Sequence, residues 1–166
     1  MTSIALPLDG GGTSVYVVEQ RRFLLPGQLF VSRTPVTITT ILGSCVAVCL
    51  WDPTRGIGGM NHFMLPFAAT GDAASPRYGN VAMEQLLAEV CSAGGRLPFL
   101  RARVFGGACM FAPMQSAGHL GIKNADVALS FLRRKSIDVA QVETGGNRGR
   151  KLAFETSEGT ACLTSI

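Results

Sequence analysis

The sequence is poor in charged and in aromatic residues. Only 16% of its 166 residues are charged and 7% aromatic, whereas 47% are hydrophobic. This composition excludes an intrinsically disordered chain, because enough apolar surface is present to form a core. The length suits one domain and is short for two. We therefore expect a single domain over residues 1–166, in which residues 1–14, with three consecutive glycines, form a flexible tail.

Long hydrophobic runs are also missing. No stretch of about 18 apolar residues occurs, so the sequence predicts no transmembrane helix. The N-terminal residues lack the basic start and long apolar centre of a secretory signal. These absences predict a cytoplasmic protein with no membrane insertion.

The cysteines show no disulfide pattern. Their number is odd and their spacing irregular, which favours a reducing compartment; they stand at positions 45, 49, 91, 109 and 162. A zinc site formed by Cys45, Cys49 and His62 is excluded by distance. Four residues of strand separate the two sulfurs by roughly 13 Å, whereas two ligands of one zinc ion lie within about 4.6 Å. We expect no bound metal.

The positive charge is dispersed. The net charge of +4 comes from 15 basic and 11 acidic residues, and the basic residues are spread along the chain. The densest group, at residues 133–135, ends a predicted helix, where cations favour the helix dipole. A nucleic-acid-binding protein would concentrate these charges on one face. The pattern favours an acidic protein partner over a nucleic acid.

Residues 37–66 contain the candidate chemistry. Three short apolar runs are separated by turn-forming residues, which predicts strands joined by tight turns. Cys45 falls at the first turn and His62 in the third strand, so an antiparallel return can bring the imidazole beside the thiol. A thiol within hydrogen-bond reach of an imidazole is the minimal activated cysteine nucleophile. Backbone N–H groups around Ser44 and Cys45, supported by Gly43, would form an oxyanion hole.

Thr39 is the candidate third member of this group. It lies six residues before Cys45, and its hydroxyl can bind one ring nitrogen of His62 and so fix the tautomer. On spacing alone, however, ordinary structural roles explain each residue better. A single cysteine in an apolar run is most often a small buried hydrophobe, and a β-branched residue in a strand needs no functional reason. Spacing alone therefore yields only a candidate Cys/His pair.

Five segments carry a family resemblance. LGSCVAVCLWDP, GIGGMNHFMLP, RYGNVAMEQL, VFGGACMF and TGGNRGRK resemble, in order, the characteristic blocks of CheD, the chemoreceptor glutamine deamidase family of bacterial and archaeal chemotaxis. The resemblance runs from about residue 23 to about residue 151. It implies that Cys45 is the catalytic cysteine, His62 the catalytic histidine and Thr39 the assisting threonine.

The resemblance also implies an activity and partners. The chain would hydrolyse receptor glutamines to glutamate through a cysteine thioester, without a cofactor. Its substrate would be the helical cytoplasmic region of chemoreceptors, and the phosphatase CheC would be a further partner. The residues alone do not separate this activity from a transglutaminase or a methylesterase, nor from a Cys/His amidase or protease of other specificity. A non-catalytic adaptor that binds receptors or CheC is the alternative from another class.

The expected architecture is α+β. Apolar strands need cover on both faces, and the resemblance implies a layered α-β-β-α sandwich similar to the catalytic domain of cytotoxic necrotizing factor toxins. Helices are predicted over residues 81–92 and 124–135. The loop before the first helix should border the site, with Tyr78 contacting substrate. Asn147 and Arg148 are further candidates for substrate contact, whereas His119 is predicted to be a solvated loop histidine.

Overall fold

A computed structural model describes residues 2–7, 13–68, 75–110 and 119–166, with side chains from residue 19 onward. The fold is α+β. The helices are α1 (Gly79–Ser92), α2 (Leu120–Arg134) and a 3-10 helix (Leu97–Phe99). The strands are β1 (Thr2–Pro7), β2 (Thr13–Val18), β3 (Arg21–Phe23), β4 (Gln28–Ser32), β5 (Thr37–Leu42), β6 (Val46–Asp52), β7 (Ile57–Phe63), β8 (Arg101–Gly106), β9 (Asp138–Thr144), β10 (Arg150–Glu155) and β11 (Ala161–Ser165).

Two mixed sheets pack face to face. The larger has the strand order β4-β7-β6-β8-β9, and the smaller has the order β11-β10-β5-β3. Pairing is antiparallel except for β8 with β9 and β3 with β5. Among the described strands, β1 and β2 pair only with each other, in antiparallel orientation.

Strand β6 lies at the centre of the larger sheet, and all seven of its residues are buried. Val46, Val48 and Leu50 pack into the core beneath the helices. Ala47, Cys49 and Trp51 pack into the second core, between the two sheets. This alternation confirms the sequence-based prediction that the strand is covered on both faces, which requires apolar residues at every position.

Both helices pack on the outer face of the larger sheet. Each connects two strands of that sheet, α1 between β7 and β8 and α2 between β8 and β9. In the described part of the chain, no helix covers the smaller sheet, whose outward-facing Phe23 and Ile41 are each 50% exposed. The described layers are therefore α-β-β. The expected second helical layer is wrong for these residues, because both crossovers return to the same sheet.

Three boundaries differ from the sequence-based predictions. Thr2–Pro7 forms a strand with Thr13–Val18 where a flexible tail was expected, and residues 8–12 of that tail lie outside the described residues. Helix α1 begins at Gly79, two residues early. Helix α2 begins at Leu120, four residues early, because the side chain of His119 caps it. None of the described helices is both long and apolar enough to cross a membrane.

Candidate active site

Cys45 lies in the turn between β5 and β6 and is half-buried. Its carbonyl oxygen accepts a hydrogen bond of 2.8 Å from the backbone N–H of Gly107. The next residue after Gly107, Ala108, donates its N–H to the carbonyl of Gly43, also at 2.8 Å. The segment after β8 therefore fixes the backbone of the turn that carries the thiol.

This contact requires glycine at two positions. Gly106 has a φ of +111°, and a Cβ atom there would lie 2.2 Å from the carbonyl oxygen of Cys45. Gly107 has a φ of +66°, and its Cβ would lie 2.7 Å from the carbonyl oxygen of Gly121 in α2. Only glycine adopts such backbone angles without strain and leaves room for this approach. The two glycines of the VFGGACMF segment are explained by this geometry.

His62 lies on β7, directly opposite Ala47 of β6. Ala47 faces the core between the sheets, and Cys45, two residues earlier, packs against the same core. Diagonal neighbours of this kind on adjacent antiparallel strands are within reach of an aromatic side chain. The imidazole and the thiol therefore share one face and one layer of the fold.

A short relay of hydrogen bonds orients His62. Its Nδ1 atom lies 2.8 Å from the hydroxyl oxygen of Thr40, and that oxygen lies 2.8 Å from the carbonyl oxygen of Leu24. Because a carbonyl only accepts, the hydroxyl proton points to Leu24, and Thr40 accepts from the Nδ1–H of His62. Nε2 then carries the lone pair. It is buried and has no hydrogen-bond partner in the part of the chain that the structure describes.

Thr40, not Thr39, makes this contact, so the predicted hydrogen bond from Thr39 to His62 is wrong. Along β5 the buried positions alternate, and Ile38, Thr40 and Leu42 face the core between the sheets. Thr39 lies on the opposite face of the strand. Because side chains alternate strictly along a strand, a difference of one residue moves a hydroxyl to the other side of the sheet.

Burial keeps both reactive groups neutral. Loss of solvent lowers the pKa of His62 to about 4. The same effect raises the pKa of the Cys45 thiol, although the backbone N–H of Cys45 partly opposes it. Burial disfavours charge on either group, so the resting pair at neutral pH is a thiol and a free imidazole base. Forming a thiolate at Cys45 would therefore require transfer of its proton to a base.

Backbone donors are available beside the thiol. Within the described ranges, the N–H groups of Ser44 and Cys45 donate to no other residue. The N–H of Cys45 also favours the thiolate of its own side chain. These two groups are free to donate, and their role as an oxyanion hole, with Gly43 in support, stays a prediction.

Two adjoining cavities open beside Cys45. The first has a volume of about 370 Å³ and is lined by Gly43, Ser44, Cys45, Ala108, Met110, His119 and Leu120. The second has a volume of about 400 Å³ and is lined by Gly107, Cys109, His119, Ile122, Gly145, Gly146 and Asn147. His119 lines both, so the two cavities meet at this residue, and together they are called the depression at the N-terminus of α2. A larger cavity of about 730 Å³ lies near β3 and β4, but its lining includes none of Cys45, His62 and Thr40.

The three residues predicted to contact substrate differ in whether they line the two cavities. Asn147 lines the second cavity. Arg148 is exposed and lines neither cavity beside the thiol. Tyr78 stands at the N-terminal cap of α1 and pairs with Leu65, and it too lines neither of them. Of the three, Asn147 is the one that reaches the depression.

Two residues were missed as contributors to the site. His119, expected to be a solvated loop histidine, caps α2 by accepting from the N–H of Gly121 at 3.0 Å, and it borders Cys45 in the first cavity. Asn124, expected only to start a helix, is fully buried and binds the chain on both sides of the pair. A polar residue just before an apolar helical stretch was a usable signal for the cap. Nothing in the local sequence indicates the contacts of Asn124.

Comparison with known proteins identifies relatives over most of the chain. The family model described as CheD chemotactic sensory transduction matches residues 64–165. A protein named probable chemoreceptor glutamine deamidase CheD, from Trichlorobacter lovleyi, is 44% identical over 87% of this chain and 89% of its own length. The probable chemoreceptor glutamine deamidase CheD 1 of Anaeromyxobacter dehalogenans is also 44% identical, over 96% of this chain and 89% of its own.

Among solved structures, the hypothetical protein YfiH of Bacillus licheniformis aligns with a TM-score of 0.47 and 14% identity. The alignment covers 72% of this chain and 51% of that one. This similarity is too weak to assign a fold.

Proposed function

Because the chain belongs to the CheD family, we propose that it is a protein-glutamine deamidase acting on chemotaxis receptors. It hydrolyses particular glutamine side chains to glutamate and releases ammonia. The observation that carries this proposal is the orientation of His62. Thr40 accepts from its Nδ1–H, and the unpartnered Nε2 remains as a base on the face that Cys45 shares.

The first half of the reaction forms a thioester. Cys45 Sγ attacks the side-chain carbonyl carbon of the glutamine while its proton passes to Nε2 of His62. The carbonyl oxygen becomes an oxyanion, which accepts from the N–H groups of Ser44 and Cys45. One such donor is worth about 3 to 4 kcal/mol of transition-state stabilisation in comparable enzymes. The imidazolium then protonates the nitrogen, the C–N bond breaks, and ammonia leaves.

The second half releases glutamate. His62, again a neutral base, takes a proton from water as the hydroxyl attacks the thioester carbon. The same donors hold the second oxyanion, the C–S bond breaks, and the thiolate recovers the proton from the imidazolium. These steps use only the side chains, the backbone and water. The neutral resting pair suits them, because the base is available at any pH above about 4.

The proposed substrate is the helical cytoplasmic region of receptors, so the protein would act in the cytoplasm. Each conversion replaces a neutral amide by a carboxylate and so shifts the signalling equilibrium of the receptor bundle during adaptation. We also propose CheC as a partner. The similarity of the layered fold to the catalytic domain of cytotoxic necrotizing factor toxins stays a prediction.

The proposal is tested by incubating the purified protein with a chemoreceptor cytoplasmic fragment and measuring glutamine-to-glutamate conversion by peptide mass spectrometry. We expect conversion by the native protein and none by Cys45→Ala. Cys91→Ala is the matched control, since Cys91 is an exposed thiol on α1. It should retain full activity.

Two results would contradict the proposal in different ways. If native protein and Cys45→Ala bind the fragment equally and convert nothing, the chain is a non-catalytic adaptor. If the native protein joins added amines to the glutamines or releases methanol from methylated receptor without deamidating it, the site is a transglutaminase or an esterase.

A further inference from the structure

Asn124 bridges the two chain segments that carry the reactive pair. It lies on α2 and is fully buried. Its Nδ2 atom donates to the carbonyl oxygen of Ser44 at 3.1 Å and to that of Met64 at 2.9 Å. Ser44 immediately precedes Cys45, and Met64 lies two residues after His62. One side-chain amide therefore holds both segments.

The bridge lies where the sheet stops holding these segments together. Pairing between β6 and β7 ends at Val46 with Phe63. Cys45 and Met64 are the next residues outward, beyond the last paired position. No described hydrogen bond between the paired strands β6 and β7 fixes the separation of these two residues. The two N–H groups of Asn124 join the segments instead.

The orientation of the amide follows from its partners. Both partners are carbonyl oxygens, which only accept, so the NH₂ group must face them. The Oδ1 atom of Asn124 is then buried without a partner among the described residues. A buried unsatisfied oxygen costs free energy, and an apolar side chain of similar size would avoid that cost. Packing alone does not account for an asparagine at this position.

Backbone contacts hold helix α2 against the turn that carries Cys45, independently of the side chain of Asn124. A Cβ atom at Gly121 would lie 2.3 Å from the carbonyl oxygen of Gly107, so the two backbones touch. Gly107 in turn donates to the carbonyl of Cys45. The helix therefore holds Asn124 in a fixed position, from which its side chain binds the two segments.

We propose that Asn124 is a positioning residue that sets the separation between Cys45 Sγ and His62 Nε2. It does so by holding the carbonyls of Ser44 and Met64 on the two N–H groups of a single amide. This role rests on the proposed function, because it presumes that Cys45 and His62 act together. Asn124 itself touches neither reacting atom.

The test compares three variants with the native protein. Asn124→Ala removes both hydrogen bonds, His62→Ala removes the base, and Thr156→Ala is a matched control. Thr156 is also buried and also binds two backbone groups, accepting from the N–H of Val36 at 3.0 Å and donating to the carbonyl of Thr34 at 3.2 Å. It lies at the opposite end of β6, beside Gly58, which pairs with Trp51.

Two rates are measured well below the melting temperature of each variant. The first is the rate of alkylation of Cys45 by iodoacetamide, followed by peptide mass spectrometry. The second is the kcat of deamidation, which is measured together with KM. We expect Asn124→Ala to lower kcat by about 10²-fold with little change in KM, because a small misplacement of reacting groups has an effect of that size. Thr156→Ala should lower the melting temperature and leave both rates within about twofold.

A double-mutant cycle distinguishes positioning from general stabilisation. If Asn124 acts through the pair, Asn124→Ala slows alkylation of Cys45 to the rate of His62→Ala, and combining the two changes slows it no further. Independent, additive effects would overturn the proposal. So would an Asn124→Ala protein that loses stability as Thr156→Ala does and keeps native alkylation and kcat.

Asn124→Asp supplies a second variant that keeps the shape of the side chain. Its ionised carboxylate has no donor for the two carbonyls, whereas the protonated acid can donate to one. We expect its kcat deficit relative to the native protein to shrink as the pH is lowered, which loss of packing would not produce. If Asn124→Ala does not fold, this variant decides the matter, and a deficit that is constant with pH would overturn the proposal. If the native protein deamidates nothing, the proposed function fails, while the alkylation comparison still decides the role of Asn124.

Discussion

The hydroxyl oxygen of Thr40 lies 2.8 Å from Nδ1 of His62, although the two residues belong to different sheets. The hydroxyl proton is committed to the carbonyl of Leu24. Thr40 can therefore only accept from the imidazole, and the tautomer of His62 follows without reference to any substrate. The smaller sheet thus determines which nitrogen of the histidine in the larger sheet carries the lone pair.

Replacing Thr40 should impair catalysis far more than replacing its neighbour. Thr40→Val removes the acceptor for Nδ1–H while keeping the shape of the side chain, and we expect kcat/KM for deamidation to fall by about 10²-fold. Thr39→Val is the matched control on the opposite face of β5 and should change kcat/KM by less than about twofold. A large loss at Thr39 with none at Thr40 would restore the role that the family resemblance gave to Thr39.

The two histidines should occupy opposite tautomers. His62 donates from Nδ1, whereas Nδ1 of His119 accepts from the N–H of Gly121 and leaves the proton on Nε2. Nitrogen NMR of histidine-labelled protein at neutral pH distinguishes the two forms, and His62→Gln assigns the signals. Following the His62 signals as the pH is lowered should give a pKa of about 4, because burial disfavours the imidazolium. A proton on Nε2 of His62 would contradict the proposed base.

Stability should fall in acid partly through His62. Its pKa of about 4 in the folded state lies below the ordinary value of 6.5, so the unfolded chain binds the proton first as the pH falls. The contribution is complete above about pH 6.5 and is lost as the pH falls toward about 4, by roughly 3 kcal/mol in total. Urea unfolding of native protein and His62→Asn across this range measures it. The difference between their free energies of unfolding should change with pH; a constant difference would show that His62 does not titrate in this way.

The glycine that faces Cys45 should tolerate no side chain. Gly106→Ala would place a Cβ atom 2.2 Å from the carbonyl oxygen of Cys45, so we expect severe destabilisation, above about 3 kcal/mol. Gly145→Ala is the control, because its φ of +79° is also positive but nothing lies within 4 Å of its Cβ. Backbone strain alone should cost that variant about 1 to 2 kcal/mol. Urea unfolding measures both, and equal losses would show that the close approach to Cys45 is unimportant.

The site was predictable where it depended on neighbouring strands. Three consecutive runs with tight turns between them indicated that the segments of Cys45 and His62 are neighbours, as the pairing of β6 with β7 shows, whereas a hydrogen bond between the thiol and the imidazole is not present among the described residues. The choice between Thr39 and Thr40 depended on which face of β5 meets the other sheet. Both residues are threonines in an apolar run, so the alternation of side chains offered no preference.

The parts that were missed depend on long-range contacts. Asn124 reaches Ser44 and Met64, which are 80 and 60 residues away in the chain, and no local pattern encodes such a pair. His119 is the exception, because its capping bond goes to Gly121, two residues away, and the local signal for that cap was overlooked. The placement of both helices on one sheet follows from β7 and β8 flanking β6 in the case of α1, and from the parallel pairing of β8 with β9 in the case of α2, which the sequence did not reveal.

The strand that carries Thr40 pairs with a strand far later in the sequence. Strand β10 pairs with β5 and sets Leu152 opposite Thr40, more than 100 residues further along the chain. Because synthesis proceeds from the N-terminus, Cys45 and His62 leave the ribosome well before the strand that fixes their orienting hydroxyl. We expect a chain that ends before β10 to lack the aligned base. On the proposed function, the thiol of Cys45 would gain its aligned base only after β10 has been synthesised, and a chain without β10 would have no activated thiol to react with other proteins.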